Sequence, residues 1–141
     1  VRFLLDTNVI SEFTKRDPNG GVYAWLDQND ERQMAASVVS LGEIQSGIAR
    51  LPNGKRKATL QDWLDNDLIP RFDGRILPLT APDMLLWGTM TGEAVSAGTP
   101  LPTADAMLAA VARNRGLIVI TRNEHDFSRM GVGLLNPWTQ D

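Results

Sequence analysis

The sequence has no cysteine and a single histidine, His125, among its 141 residues. The first absence excludes disulfide scaffolds, cysteine-ligated zinc or iron–sulfur centres and thiol nucleophiles. The second leaves no partner for a multi-histidine metal site or for paired imidazole acid–base work. Charge of neither sign dominates. Lys and Arg number 14 against 17 acids, a net charge of −3, so the overall balance does not announce a protein held to nucleic acid by bulk phosphate neutralisation. No apolar run approaches the roughly 18 residues of a membrane span, and no basic-then-apolar leader opens the chain. A cytoplasmic protein with no membrane partner is the expectation. Val1 stands where an initiating methionine is usual, which implies leading residues removed or lying outside this sequence.

Hydrophobic residues make up 43% and charged residues 22%, with 12 Gly and 8 Pro. These are ordinary globular proportions, and the length suits one compact domain spanning residues 1–141. Its chemistry must run mainly on carboxylates and hydroxyls.

Short apolar runs alternate with helical periodicity along the chain. Phe3 to Leu5, Met34 to Ser37, Arg75 to Leu79 and Leu117 to Ile120 read as strands, with Gly133 to Leu135 as a last edge strand. Helices are expected over Asn8 to Phe13, from Asp17-Pro18 onward, and over Val38 to Arg50, Thr59 to Leu68, Ala81 to Ala97 and Thr103 to Arg115. Val38, Leu41, Ile44 and Ile48 form one apolar helix face, while Lys55, Arg56 and Lys57 precede the fourth helix. Thr121 to Asp126 reads as a polar turn. Strands alternating with helices imply an α/β fold: a parallel β-sheet with helices on both faces. Its functional crevice then lies beyond the carboxyl ends of the strands.

Four acids belong at that end. Asp6 follows the first strand, Glu43 projects from the helix after the second, Asp105 opens the helix after the Pro-rich loop, and Asp126 follows the last apolar strand. Carboxylates gathered without a basic counter-ion repel one another, and a divalent cation with oxygen ligands is the usual compensation. Mg²⁺ or Mn²⁺ suits such hard donors, and either lowers the pKa of a water that attacks phosphorus. Each acid also has a structural reading. Asp6 suits a helix N-cap, Ser40-Leu41-Gly42-Glu43 matches a capping box, Asp105 answers a helix dipole, and Asn123 with Asp126 suits a short cap. Independent caps need not converge on one end of one sheet.

The blocks Leu4-Leu5-Asp6-Thr7-Asn8-Val9-Ile10-Ser11-Glu12, Ser37 to Ile44, Thr103-Ala104-Asp105 to Ala110, and Thr121-Arg122-Asn123-Glu124-His125-Asp126-Phe127 resemble the signature blocks of PIN-domain proteins, specifically the VapC-type toxins. Asn136-Pro137-Trp138, Gly54 to Lys57 and Gly74 to Pro78 are similar to the FitB-like branch. The resemblance implies a PIN-like domain acting as a Mg²⁺- or Mn²⁺-dependent endoribonuclease. It further implies a homodimer that is silenced by an antitoxin protein and meets operator DNA only through that antitoxin. Carried over by position, Asp6 and Asp105 match the strongest metal ligands, Glu43 the central acid and Asp126 the more variable fourth. Thr7, Asn8, Thr121 and Asn123 would orient ligands or water by hydrogen bonds.

Two other classes compete. The fold can serve as a binding subunit of an antitoxin–DNA complex with little nuclease activity, its acids receiving a basic side chain of the partner. A phosphatase or phospho-receiver also sets acids at strand ends, but Thr7-Asn8 and Thr121-Arg122 stand where such sites carry a second acid and a lysine. His125 reads as solvent-facing, and Trp25, Trp63 and Trp87 as core or oligomer contacts. Met84, Leu85, Trp87 and Met90 offer a surface for self-association. Lys55 to Lys57 with Arg50 suit contact with RNA phosphates or antitoxin.

Overall fold

Five short strands carry the most apolar segments and pair in one all-parallel sheet, seen in a computed structural model that describes residues 1–139. The expected domain end at 141 lies outside the described residues. The strands are β1 (Phe3–Leu5), β2 (Met34–Ser37), β3 (Ile76–Leu77), β4 (Ile118–Ile120) and β5 (Gly133–Leu135), in the order β3-β2-β1-β4-β5. Phe3 stands opposite Met34 on one side and Ile118 on the other, which makes β1 the central strand. Connections run outward from β1 in both directions, so the boundary between β1 and β4 is the topological switch point where α/β sheets open a crevice.

Eight α-helical segments cover the sheet: α1 (Thr7–Glu12), α2 (Gly20–Gln28), α3 (Val38–Ala49), α4 (Lys55–Trp63), α5 (Ile69–Arg71), α6 (Ala81–Ser96), α7 (Thr103–Arg115) and α8 (Glu124–Phe127). Because strand side chains alternate, Phe3 and Leu5 pack with Val9, Ile10, Val22, Trp25 and Ile48 from α1, α2 and α3. Leu4 turns the other way, onto Met90, Leu108, Val111 and Phe127 from α6, α7 and α8. Helices on both faces are therefore observed, each sealing its own core.

Several expected boundaries shift for local reasons. The helix expected from Asp17-Pro18 starts at Gly20, because Asn19 is the residue whose side chain caps it, accepting from the Gly21 and Val22 amides at 2.9 and 3.2 Å. The Lys55 to Lys57 cluster is the first turn of α4 rather than its approach, and the helix widens into a π turn over Leu64–Leu68 just before Pro70, which has no N–H to donate. β3 is only two residues long. The turn after β4 contains the short α8. Val38 is 37% exposed and Leu85 74% exposed, so neither faces the core. The expected Ser40–Glu43 capping box is not a cap, since Ser37 caps α3 by accepting from the Val39 amide and Ser40 lies inside the helix. A true capping box occurs instead at Thr80 and Asp83, at the start of α6.

Candidate active site

The switch point places Asp6 at the end of β1 and Thr121 at the end of β4. The ladder carries one step beyond the strands: the Asp6 amide donates to Ile120 O at 2.9 Å and the Thr121 amide to Leu135 O at 3.0 Å. Both residues are buried. Asp6 caps α1 by accepting from the Thr7 amide at 2.7 Å through Oδ1, so its structural reading is correct as far as it goes. Its Oδ2 accepts from Thr121 Oγ1 at 2.8 Å and from Asn8 Nδ2 at 3.3 Å. The carboxylate is thus locked in orientation, with neutral donors alone. Burial pushes the Asp6 carboxyl above its ordinary 3.8 and the charge of Glu43 adds to this, against the opposing hydrogen bonds from Thr121, Thr7 and Asn8.

Glu43 reaches the same place from α3. Thr7 Oγ1 donates to Glu43 Oε1 at 2.6 Å and lies 3.0 Å from Ser40 Oγ. Ser40 is fully buried and was not among the expected site residues. Its signal is spacing, because a residue three before Glu43 shares its helix face. Asn123 contributes through its backbone, whose amide donates to Thr121 Oγ1 at 2.9 Å. Asn8 in turn accepts from the Arg122 amide at 3.3 Å, tying α1 to the turn after β4.

Asp105, in the first turn of α7, and Asp126, in α8, complete the group; both are half-buried. Burial, then the charges of Asp6, Asp126 and Glu43, push the Asp105 carboxyl up to about 6. Among the described residues no ion pair and no hydrogen bond offsets them. Asp6, Asp126 and Glu43 thus act on Asp105 through their charges, and all four expected acids lie toward the carboxyl ends of the strands. Among the described residues no three His, Asp or Glu side chains lie together in a group able to hold a metal ion. The donor chemistry nevertheless fits a hard divalent cation: the site is all oxygen, its acids repel one another, and its central carboxylate is oriented in advance. His125 is exposed beside it.

Next to the carboxylates a groove of about 650 Å³ runs between α1, α3 and α4, from Thr7 and Glu43 past Ile44, Ile48 and Leu60 to Trp63 and Arg56. Trp63 is therefore a groove wall and only partly core, unlike Trp25, which packs edge-on against Phe3. Trp87 is half-buried, with Nε1 donating to Thr103 O at 3.3 Å.

A model of the PIN domain family matches residues 3–133. Toxin FitB of Neisseria gonorrhoeae is 38% identical over 135 residues, covering 96% of this chain and 97% of that protein. VapC ribonuclease Y4jK of Sinorhizobium fredii is 33% identical, covering 96% of each. Among solved structures, FitAB bound to an IR36 DNA fragment superposes with a TM-score of 0.89 at 35% identity, covering 99% of this chain and 97% of that one.

Proposed function

The chain belongs to the PIN domain family, and on that premise we propose that it is a metal-dependent endoribonuclease, the toxin of a toxin–antitoxin pair. The observation that supports the reading is that Asp6, Glu43, Asp105 and Asp126 all lie toward the carboxyl ends of the strands, where the other three act on Asp105 through their charges and none of the four forms an ion pair among the described residues. A relative named as a VapC ribonuclease and another named as a toxin support it. Asp6, Asp105, Glu43 and Asp126 would hold the ion, Mg²⁺ or Mn²⁺ by donor hardness. Bound there, it would supply Lewis acidity toward phosphate oxygens and acidify a water for attack on phosphorus. The chain's own residues prepare the site. Thr121 and Asn8 fix Asp6, Thr7 aims Glu43, and Asp105 provides a carboxylate whose repulsion by its neighbours a bound cation would relieve.

The partner follows from the same charges. An arginine fork matches an acidic site of this kind, and the apolar groove beside Glu43 suits the segment that would carry it, so an antitoxin covers both. DNA would be met through that antitoxin, a reading that the solved structure of FitAB bound to a DNA fragment supports. A cytoplasmic address goes with an RNA substrate, and no helix among the described residues is long and apolar enough to cross a membrane. The exposed Leu85 on α6 is the starting point for a homodimer. RNA cleavage by the protein freed of its partner, required to depend on Mg²⁺ or Mn²⁺ and to vanish in Asp105→Asn, tests the enzyme. A parent protein that binds its antitoxin but leaves RNA intact with either ion is the binding subunit instead.

A further inference from the structure

Glu12 is a buried acid that the carboxylate site does not use. It closes α1, is 3% exposed, accepts from the Asn19 amide at 2.9 Å and pairs with Lys15 Nζ. Burial works against its charge, yet Lys15, the Asn19 amide and the nearby charge of Arg122 together hold its carboxyl below the ordinary value. Glu12 therefore pairs directly with Lys15, while Arg122 acts on it only through its charge. Arg122 has no ion pair among the described residues, and Lys15 is 57% exposed, so positive charge is left over.

The surplus lies on the rim of the acidic site. Arg122 directly follows Thr121, which donates to Asp6, and its amide donates to Asn8. Lys15 lines the same groove as Thr7 and Glu43. The Arg122 guanidinium sits 5.6 Å from the centroid of the Trp138 ring. Stacking on an aromatic face steadies the charge without consuming its N–H donors. The ring itself is fixed: Asn136, 6% exposed, accepts from the Trp138 amide at 2.9 Å. The same turn presses Pro137 O so close to α2 that no side chain fits at Gly21. A chain of net charge −3 with four clustered acids repels a polyanion, and cations held at the rim are what lets one approach.

We propose that Lys15 and Arg122 form a phosphate-binding subsite for the backbone of single-stranded RNA, beside the carboxylate cluster and distinct from it. The subsite rests on the ribonuclease reading for its substrate, but its test does not need cleavage. The probe is an end-labelled single-stranded RNA 12-mer, bound in chelator across a salt series. Proteins compared are the parent, Arg122→Gln, and a Lys15→Gln/Glu12→Gln double variant that leaves no unpaired buried acid. Arg32→Gln serves as control, an 87% exposed side chain just ahead of β2, at the opposite end of the strands.

Arg122→Gln should weaken binding roughly fivefold at low salt and flatten the slope of log K against log salt by about 0.7, the share of one phosphate contact on a single strand. The double variant should show the same trend and Arg32→Gln neither change. Unaltered affinity and slope in a folded Arg122→Gln overturn the subsite. So does a parent that fails to bind the RNA at low salt, or a variant that loses only its affinity for an acidic protein partner. Failure of the ribonuclease reading shows up separately, as a parent that binds this RNA but does not cut it with added divalent metal.

Discussion

Asp6 and Asp83 are both buried acids at the start of a helix that follows a strand, and their environments push them in opposite directions. Asp83 is 1% exposed, with Oδ1 accepting from Arg115 Nη1 at 2.9 Å and Asn114 Nδ2 at 3.0 Å, and Oδ2 from Arg115 Nη2 at 3.1 Å. It also closes the capping box with the Thr80 amide at 2.9 Å. Burial opposes its charge, but the bidentate arginine and the other donors hold its carboxyl well below the usual carboxylate range. Asp6, 3% exposed, has the donors without the cation and is pushed up. Similar solvent exposure with and without a guanidinium separates an acid that holds α6 to α7 from an acid that no Lys or Arg pairs with among the described residues.

That difference predicts which substitution harms which property. Asp6→Asn keeps a cap acceptor but removes the central charge, and should lower RNA cleavage by roughly 10³-fold or more, the several kcal/mol that metal-assisted stabilisation supplies. Asp83→Asn should leave cleavage per folded molecule within about twofold. Initial rates on one RNA, normalised to the folded fraction, check both. A severe loss of rate in Asp83→Asn with its fold intact would erase the distinction.

The next effect in size is on stability. Removing the Asp83 charge leaves the partly exposed Arg115 without its anionic partner, and should cost about 2 kcal/mol, read as a lower midpoint in urea with an unchanged slope. The pH dependence follows the same pair. Because the folded value of Asp83 lies below its ordinary 3.8, its stabilisation is intact above about pH 4 and is lost as pH falls through the folded value. Asp83→Asn should therefore melt less differently from the parent at pH 3 than at pH 7. An equal gap at both would show that the cap alone, and no charge, accounts for the loss.

Half of this contrast is legible in the sequence. Asp6 is conspicuous because a three-residue apolar run stops at it, and Gly116 marks the end of α7 because only a left-handed residue, here at φ 64°, closes that turn. The parallel sheet and its two covered faces follow from strands alternating with helices. The Asp83–Arg115 pair is not legible, since 32 residues separate its members and Thr80, three residues ahead, marks Asp83 only as a cap acid. Ser40 is readable as polar and near Glu43, but its burial against Thr7 comes from α1 packing on α3, which no local pattern encodes. Val38 fails for the converse reason. It has helical periodicity with the apolar face, yet it is the first residue of α3, where no preceding turn covers it.

The smallest expected effect is the most discriminating, and it concerns Asp105. Its carboxyl is pushed up from 3.8 to about 6 by burial and by Asp6, Asp126 and Glu43. A carboxyl raised by folding favours the protonated folded state, so its contribution to metal-free stability is fully present below about pH 4 and is lost as pH rises through about 6. At neutral pH the charge costs on the order of 1–2 kcal/mol after screening of a partly exposed group. Asp105→Asn removes that charge at nearly constant volume and forfeits roughly 0.5 kcal/mol of helix-dipole interaction at the start of α7. In chelator at pH 7 the variant should therefore melt at or slightly above the parent, by about 1 kcal/mol at most. At pH 4 the advantage should disappear. Millimolar Mg²⁺ or Mn²⁺ should reverse the order, because a ligand that binds the folded parent stabilises it by mass action and finds one carboxylate fewer in the variant. Six thermal melts, with each of the two proteins in chelator at pH 7, with metal at pH 7 and in chelator at pH 4, and an RNA cleavage assay alongside, decide it. An Asp105→Asn protein that melts well below the parent in chelator and still cuts RNA would make Asp105 a structural acid like Asp83, and the two classes of buried carboxylate would collapse into one.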